Sequence, residues 1–322
     1  MKPPKKFHCQ IDLSNVALPE WKAQRMYLQG YRFVGKHSAI KLCEWTKKAI
    51  RNKNFCYKQK FYGIQSHRCI QMTPVAFFCD FNCIHCWRSL NFNIPPENFR
   101  WDSPELVFNG CISEFKKLIA GFKGNSKIRR ETYLESDSPR HFAISLSGEP
   151  TLYPYLPEFI DLIKSNGKTA FLVTNGAHPD MIKKLIKHQP NFLYITLPAP
   201  DEEIFRKECN PIINDGWEKL NESLSLLKEF SCNTVIRLTL SKSSNMFYPE
   251  KYAKIIENAK PSFVEVKSYM AVGGARAKMP YESMPRHHEI LAFAKEIEKN
   301  SSYKIVNEKE DSRVALLARK NL

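Results

Sequence analysis

The stretch CDFNCIHCW, running from Cys79 to Trp87, sets cysteines at 79, 83 and 86 in the spacing CxxxCxxC. Thiolates are soft, deprotonated ligands, and three of them on one short loop can close on a face of a [4Fe-4S] cubane. Four ligands would complete an electron-transfer cluster. Three leave one iron open, so the spacing predicts a reactive site. Zinc is the competing reading, but a structural zinc site takes four ligands, and His85 is the candidate inside the loop.

The 322 residues, 43% of them hydrophobic, suffice for one large core and exclude a disordered chain. Lys and Arg number 49 against 33 Asp and Glu, a formal charge of +16. Such an excess favours a polyanionic partner through phosphate neutralisation, with RNA the first expectation, although a solvated basic surface has the same composition. Ten cysteines behind the polar start MKPPKKFHCQ, which has no secretory pattern, point to reduced thiols available to metals. No run approaches the roughly 18–20 apolar residues of a membrane span. The chain is therefore expected to be soluble, cytoplasmic and monomeric, with no membrane partner.

From Thr73 onward, β-branched and aromatic runs alternate with amphipathic segments, the pattern of repeated βα units. Strands are predicted at PVAFFC, HFAISLSG, TAFLVTNG, FLYITLPA, TVIRLTLS and FVEVKSYM, with helices between them. The tail adds the helix HHEILAFAKEIEKN, then YKIVNE and RVALLAR as strands or as a strand and a helix. Residues 1–70 form a basic, aromatic-rich extension without strand alternation, predicted mainly helical, ahead of an α/β unit over residues 71–322. The three cysteines, LSGEPT and VTNG each follow the carboxyl end of a predicted strand, where ligands sit in barrels and open doubly wound sheets alike.

In SLSGEPTLYP, Gly148 lets the backbone approach a ligand and Glu149 offers a carboxylate suited to an ammonium group, with Pro150 stiffening the turn. In VTNG, Thr174 and Asn175 place short polar groups where a strand ends, and Gly176 turns the chain. In IRLTLS, Arg237, Thr239 and Ser241 alternate with apolar residues and give the strand one polar face. Together with CxxxCxxC, these motifs resemble the radical S-adenosylmethionine (SAM) superfamily. The resemblance implies a partial (β/α)6 TIM-type barrel and a [4Fe-4S] cluster on Cys79, Cys83 and Cys86. Its open iron would chelate the amine and carboxylate of SAM, which an electron cleaves to a 5′-deoxyadenosyl radical. SGEP resembles the GGEP motif that grips the SAM amino group, with Ser147 where the first glycine usually stands, ahead of Gly148 and Glu149. His85 would present backbone to the adenine, while Thr174, Asn175, Arg237, Thr239 and Ser241 would meet the carboxylate or ribose.

A second trio lies upstream: Cys43, Cys56 and Cys69 are separated by equal intervals, Cx12Cx12C. Alone they would read as buried thiols. Beside CxxxCxxC, Trp87, SGEPTLYP and VTNG, the pattern closely resembles the 4-demethylwyosine synthase family over nearly the whole chain. That resemblance implies a second [4Fe-4S] cluster with an open iron on the upstream trio, and a reaction that joins pyruvate to N1-methylguanosine in the anticodon loop of phenylalanine tRNA. Hydrogen leaves the N-methyl group, the carbon radical adds to pyruvate, and carbon–carbon cleavage follows to build the tricyclic base. The family holds pyruvate as an imine on the lysine two residues after the middle upstream cysteine, which is Lys58. An imine needs an amine that is neutral part of the time, and Lys60 or other nearby cations would depress its pKa. Residue pattern alone does not separate Lys58 from Lys60. Eukaryotic members carry a flavodoxin-like domain for which this chain has no room, so an external donor such as a flavodoxin or ferredoxin is expected.

RNA contact is expected from cations interleaved with aromatics: Lys47, Lys48, Arg51 and Lys53 with Trp45, Tyr57 and Phe61, joined by Lys127, Arg129 and Arg130. The loop GGARAK, Gly273 to Lys278, closes the last main strand and reads equally as a ligand contact or as a mobile loop. Cys9, Cys111, Cys209 and Cys232 read as ordinary thiols. Two rivals keep part of the pattern. One is a radical SAM enzyme with an auxiliary cluster acting on a non-tRNA substrate, and the other is a non-catalytic iron–sulfur RNA-binding protein.

Overall fold

The computed structural model describes residues 13–88 and 93–319; Cys9 lies outside them. The extension runs through α1 (Glu20–Leu28), the strands β1 (Tyr31–Val34) and β2 (Ser38–Lys41), then α2 (Glu44–Ile50) and α3 (Tyr57–Tyr62). The barrel unit follows: β3 (Cys69–Thr73), α4 (Pro104–Ala120), α5 (Arg130–Asp137), β4 (His141–Ile144), α6 (Leu156–Ser165), β5 (Thr169–Thr174), α7 (Pro179–Leu185) and β6 (Phe192–Thr196). It continues with α8 (Glu202–Cys209), α9 (Gly216–Ser225), β7 (Asn233–Leu240), α10 (Pro249–Ala259), β8 (Phe263–Ser268), α11 (His287–Lys299), β9 (Tyr303–Lys309) and β10 (Val314–Arg319).

All ten strands form one sheet in the order β1-β2-β3-β4-β5-β6-β7-β8-β10-β9. The six from β3 to β8 are parallel neighbours, the partial (β/α)6 barrel that the superfamily resemblance implies. Antiparallel wings complete it, β1 and β2 on one side and β10 and β9 on the other. YKIVNE and RVALLAR are thus both strands. Prolines open α4, α6, α7 and α10, where the missing N–H costs nothing because first-turn amides have no intrahelical acceptor.

Two features depart from the sequence reading. Helices predominate in the extension, but the β1–β2 hairpin was hidden because its strands are four residues each and both carry charged residues. The first barrel strand is CIQMT, not PVAFFC. Pro74 has no N–H and ends the ladder, and Val75, Ala76 and Phe77 are apolar because they are buried in the turn that follows. Residue 70, expected to divide extension from barrel, falls inside β3.

Helices and strands enclose one main core between them, with Phe142, Phe159, Ile160, Leu193, Ile236 and Val264 fully buried. A second, smaller cluster fills the concave side of the sheet: Phe171, Tyr194 and Val235 from β5, β6 and β7 meet Ile64 and Tyr62 of the extension. The segment from Asn54 to Ile64 reaches the β9–β10 wing. Asn54 Nδ2 donates to Asp311 Oδ2 at 2.7 Å and Lys60 Nζ to the Glu308 carbonyl at 2.6 Å.

Hairpin and barrel meet at Gly110 of α4, where an added Cβ would overlap the side chain of Val34. Alanine is the better helix former by about 1 kcal/mol, so in an isolated helix Gly110→Ala would stabilise. Here it is expected to lower the midpoint of thermal unfolding through overpacking worth roughly 1–3 kcal/mol, and Val34→Ala in the same chain should restore most of the loss.

Candidate active site

Beyond the end of β3 the cysteine loop is pinned from several sides. The carbonyls of Glu208 and Asn210, at the end of α8, accept from Ile84 N at 2.9 Å and Asn82 N at 3.2 Å, and the Asp80 carbonyl accepts from Ile212 N at 2.7 Å. The buried Asp80 carboxylate holds His178 Nε2 at 2.9 Å. Burial disfavours the imidazolium of His178, but the bond to Asp80 and its charge outweigh this and raise its pKa. His85 places Nδ1 2.7 Å from the buried Glu208 carboxylate. The GGARAK loop clamps the outside: Gly274 N donates to the Trp87 carbonyl at 2.7 Å and Lys278 Nζ to the Cys83 carbonyl at 3.0 Å.

The SGEP turn crosses beneath this loop. Gly148 has φ +64°, and a Cβ on it would overlap the carbonyl oxygens of Val75 and Phe78; the close approach it permits is to the chain's own backbone. Ser147 Oγ donates to the Ala76 carbonyl at 2.9 Å. Glu149 is buried and its carboxylate is fixed: Oε1 accepts from Thr151 N (3.0 Å), Thr151 Oγ1 (2.6 Å) and Thr174 Oγ1 (2.6 Å), and Oε2 from Asn175 N (2.8 Å). Oε2 carries one donor against three on Oε1, so it is the freer oxygen for a further donor. Burial raises the pKa of Glu149 while these hydrogen bonds oppose it. Asn175 Nδ2 lies 3.8 Å from Cys79 Sγ. SGEP, VTNG and CxxxCxxC therefore converge, with Thr174 spent on orienting Glu149.

Burial raises the pKa of Cys79 and Cys86. For Cys83 the leading cause is a hydrogen bond with the thiol of Cys209, followed by burial, so Cys209 is no isolated thiol. Thiols so disposed ionise when a cation compensates them. Among the described residues, no three His, Cys, Asp or Glu side chains are grouped to hold a single metal ion.

The upstream thiols lie within electrostatic reach of one another. Cys43 and Cys56 are the N-caps of α2 and α3, and Cys69 opens β3. Burial raises all three pKa values, that of Cys56 to about 11 and that of Cys69 to about 12, and in both the charge of Cys43 adds to the rise. Backbone amides of Trp45, Thr46 and Lys58 oppose the shift. Arg88 feels the charge of Cys86 from one trio and of Cys43 from the other.

Next to the upstream trio the geometry separates the two candidate lysines. Lys60 faces outward to β9, whereas Lys58 is buried, its Nζ 4.3 Å from the ring centre of Tyr194 and 4.7 Å from that of Phe171. Burial lowers its pKa to about 8, helped by the charge of Arg237 and opposed by Glu265, Cys56 and Cys69. The depressing cation is thus Arg237 and not Lys60. Two residues apart on a helix means opposite faces.

Beside Lys58 stands a network that the sequence reading missed. Glu265, fully buried on β8, accepts from Tyr57 (3.0 Å), Tyr62 (2.9 Å), Tyr194 (3.1 Å) and Arg237 Nε (2.9 Å), and Arg237 Nη2 donates to Tyr57 Oη at 2.8 Å. Arg237 accordingly sits in the Lys58 chamber with its guanidinium engaged. Lys267, two residues along β8, donates to the Ser312 carbonyl at 2.7 Å, and burial with the Arg237 charge lowers its pKa to about 8. Thr239 is half-buried opposite Lys267 in the ladder. Ser241 is fully buried, its amide donating to Asn245 and its hydroxyl near Ser243 and the Ser283 carbonyl. Tyr57 is buried with its hydroxyl engaged, so it offers no face to a base. The signal for this chamber was the pair of charges in FVEVKS, a strand otherwise apolar enough to be central.

Residues 73–273 match the radical SAM superfamily, and residues 258–319 match the family described as wyosine base formation. The fold and site thus define a radical SAM enzyme, with the [4Fe-4S] cluster and SAM that the superfamily implies. The chain is 44% identical to S-adenosyl-L-methionine-dependent tRNA 4-demethylwyosine synthase of Pyrococcus abyssi, covering 95% of this chain and 91% of that one. It is 41% identical to the Methanocaldococcus jannaschii protein of the same name, covering 94% and 97%. A solved structure described as TYW1 with a lysine-pyruvate adduct bound superimposes with a TM-score of 0.87 at 41% identity, covering 95% of this chain and 98% of that one. The chain belongs to the tRNA 4-demethylwyosine synthase family.

Replacing Glu265 by Gln leaves the Arg237 guanidinium buried without its counter-charge. That variant is expected to lose roughly 3–5 kcal/mol, seen as a lower thermal midpoint, whereas Glu265→Asp should lose less.

Proposed function

We propose that this protein is a tRNA-modifying carbon–carbon lyase that condenses N1-methylguanosine in the anticodon loop of phenylalanine tRNA with pyruvate to form the tricyclic imidazopurine. The observation that carries this reading is the placement of Lys58 inside the barrel, against Tyr194 and Phe171 and beside the upstream cysteines, while Lys60 points away. The lysine-pyruvate adduct described for the solved relative agrees with it.

When bound, a [4Fe-4S] cluster on Cys79, Cys83 and Cys86 supplies the electron that cleaves SAM. Glu149, held by Thr151, Thr174 and Asn175, offers Oε2 to the ammonium of SAM. Cys43, Cys56 and Cys69 fit a second [4Fe-4S] cluster, giving two in all. Pyruvate forms its imine on Lys58: the amine adds to the keto carbon and water leaves. Arg237 and Lys267 keep the surrounding field positive, which suits a carboxylate. The aromatic wall of Phe171 and Tyr194 keeps water away from the imine. Electrons come from a separate flavodoxin or ferredoxin, and the enzyme works as a cytoplasmic monomer. No described helix is long and apolar enough to cross a membrane.

Borohydride reduction in the presence of pyruvate should leave a covalent adduct on Lys58, mapped by peptide mass spectrometry. Lys60→Ala should retain it and Lys58→Ala should not; an adduct on Lys60 sinks the assignment. Iron counting after anaerobic reconstitution should give about eight irons per chain, falling to about four in Cys56→Ala, as expected for two cysteine-bound four-iron clusters.

A further inference from the structure

Arg88, the second residue beyond the cysteine loop's last ligand, is a buried cation with an unmet donor. Its relative exposure is 4%, its guanidinium lies over the Trp87 ring, Nη1 donates to the Tyr31 hydroxyl, and Nη2 has no hydrogen-bond partner among the described residues. A buried guanidinium N–H without an acceptor is costly, and a fold keeps one where a ligand fills the place. Arg88 lines a narrow cleft of about 50 Å³ between α1 and the cluster loop, together with Trp21, Lys22, Arg25 and Tyr31. None of the residues lining it is acidic. Lys22 and Arg25 form no ion pair among the described residues, and Trp21 stands at the rim with 62% of its surface exposed.

We infer that this cleft seats a phosphodiester of the RNA substrate, gripped by Arg88 at its floor and led in by Lys22, Arg25 and the exposed ring of Trp21. The inference rests on the tRNA reading and adds to it the place where the strand is held. A pyruvate or SAM carboxylate is a single small anion for which one cation suffices, whereas a row of three leading outward to a free indole matches a backbone with a base beside it. The position is apt, because Arg88 follows Cys86 by two residues. A phosphate held there keeps its neighbouring base beside the cluster loop. A guanidinium meets phosphate oxygens with paired N–H donors, which an ammonium cannot reproduce.

The test measures binding of a synthetic anticodon stem-loop carrying N1-methylguanosine to the reconstituted holoenzyme, across a salt series. Arg88→Met should weaken binding about tenfold and flatten the log–log salt dependence by about 0.7, the share of one single-strand phosphate. A set of stem-loops, each with one methylphosphonate, should contain one position where neutralisation weakens wild type about tenfold and leaves Arg88→Met unchanged. Unaltered affinity and slope in Arg88→Met overturn the site. So does a higher KM for pyruvate or SAM with RNA affinity retained, which would make the occupant a carboxylate. Should iron content show that Arg88→Met does not assemble, Lys22→Ala with Arg25→Ala takes its place, expected to flatten the salt dependence by at least about 0.7; no change overturns the site. If wild-type holoenzyme itself fails to distinguish the stem-loop from an unrelated hairpin, the tRNA reading falls; intact wild-type binding with an indifferent Arg88 removes this site alone.

Discussion

The Glu265 carboxylate is the point on which the two halves of the site depend. It is buried without exposure, yet it stays ionised because Arg237 and three tyrosine hydroxyls surround it. Burial favours its neutral form, and the charges of Arg237 and Lys58 outweigh burial. Two of the tyrosines, Tyr57 and Tyr62, come from α3, the third from β6, and the arginine from β7. One charge therefore docks the extension onto the concave face of the sheet. The consequence is the seating of Lys58, whose place in α3 between those tyrosines leaves its amine no direction but the chamber.

The cysteine loop is held differently, by backbone more than by charge. Carbonyls and amides from the end of α8, from the SGEP turn and from the GGARAK loop fasten it at Ile84, Phe78 and Trp87. Gly148 and Gly273 make two of these approaches possible, since each has a positive φ and each would press a Cβ into a carbonyl. Backbone fastening leaves the thiols themselves uncommitted to structural roles, apart from the contact between Cys83 and Cys209. Glu149 is likewise preset by groups that are not part of the loop. Such prior orientation is what makes a charge effective toward a bound ligand.

Much of this was legible in the sequence, because spacing encodes chemistry directly when ligands share one loop. CxxxCxxC, SGEP and VTNG lie on turns after strands, and strand order brings those turns together. Equal intervals likewise marked Cys43, Cys56 and Cys69, though each is delivered by a different element. What stayed hidden depends on tertiary neighbours. PVAFFC looks like a strand because buried turns and strands share apolar composition. Lys58 and Lys60 differ only in which side of a two-turn helix faces inward. Glu265 drew no notice because its partners are 28 to 208 residues away. Ser241 has the right parity for the barrel face, but the strand ends one residue earlier and its polar groups turn to Asn245 and Ser283.

The fastening of residues 54–64 to the β9–β10 wing has a bearing on how the protein is made. Asn54 meets Asp311, and Lys60 meets the carbonyl of Glu308, partners 257 and 248 residues further along the chain. During synthesis the early segment leaves the ribosome long before these acceptors exist. These two bonds can therefore form only after the C-terminal strands are made, and contacts so distant in sequence form slowly. Until those strands exist, the segment that carries Cys56, Tyr57 and Lys58 lacks both of these anchors, so the chamber cannot close before synthesis of the barrel is complete.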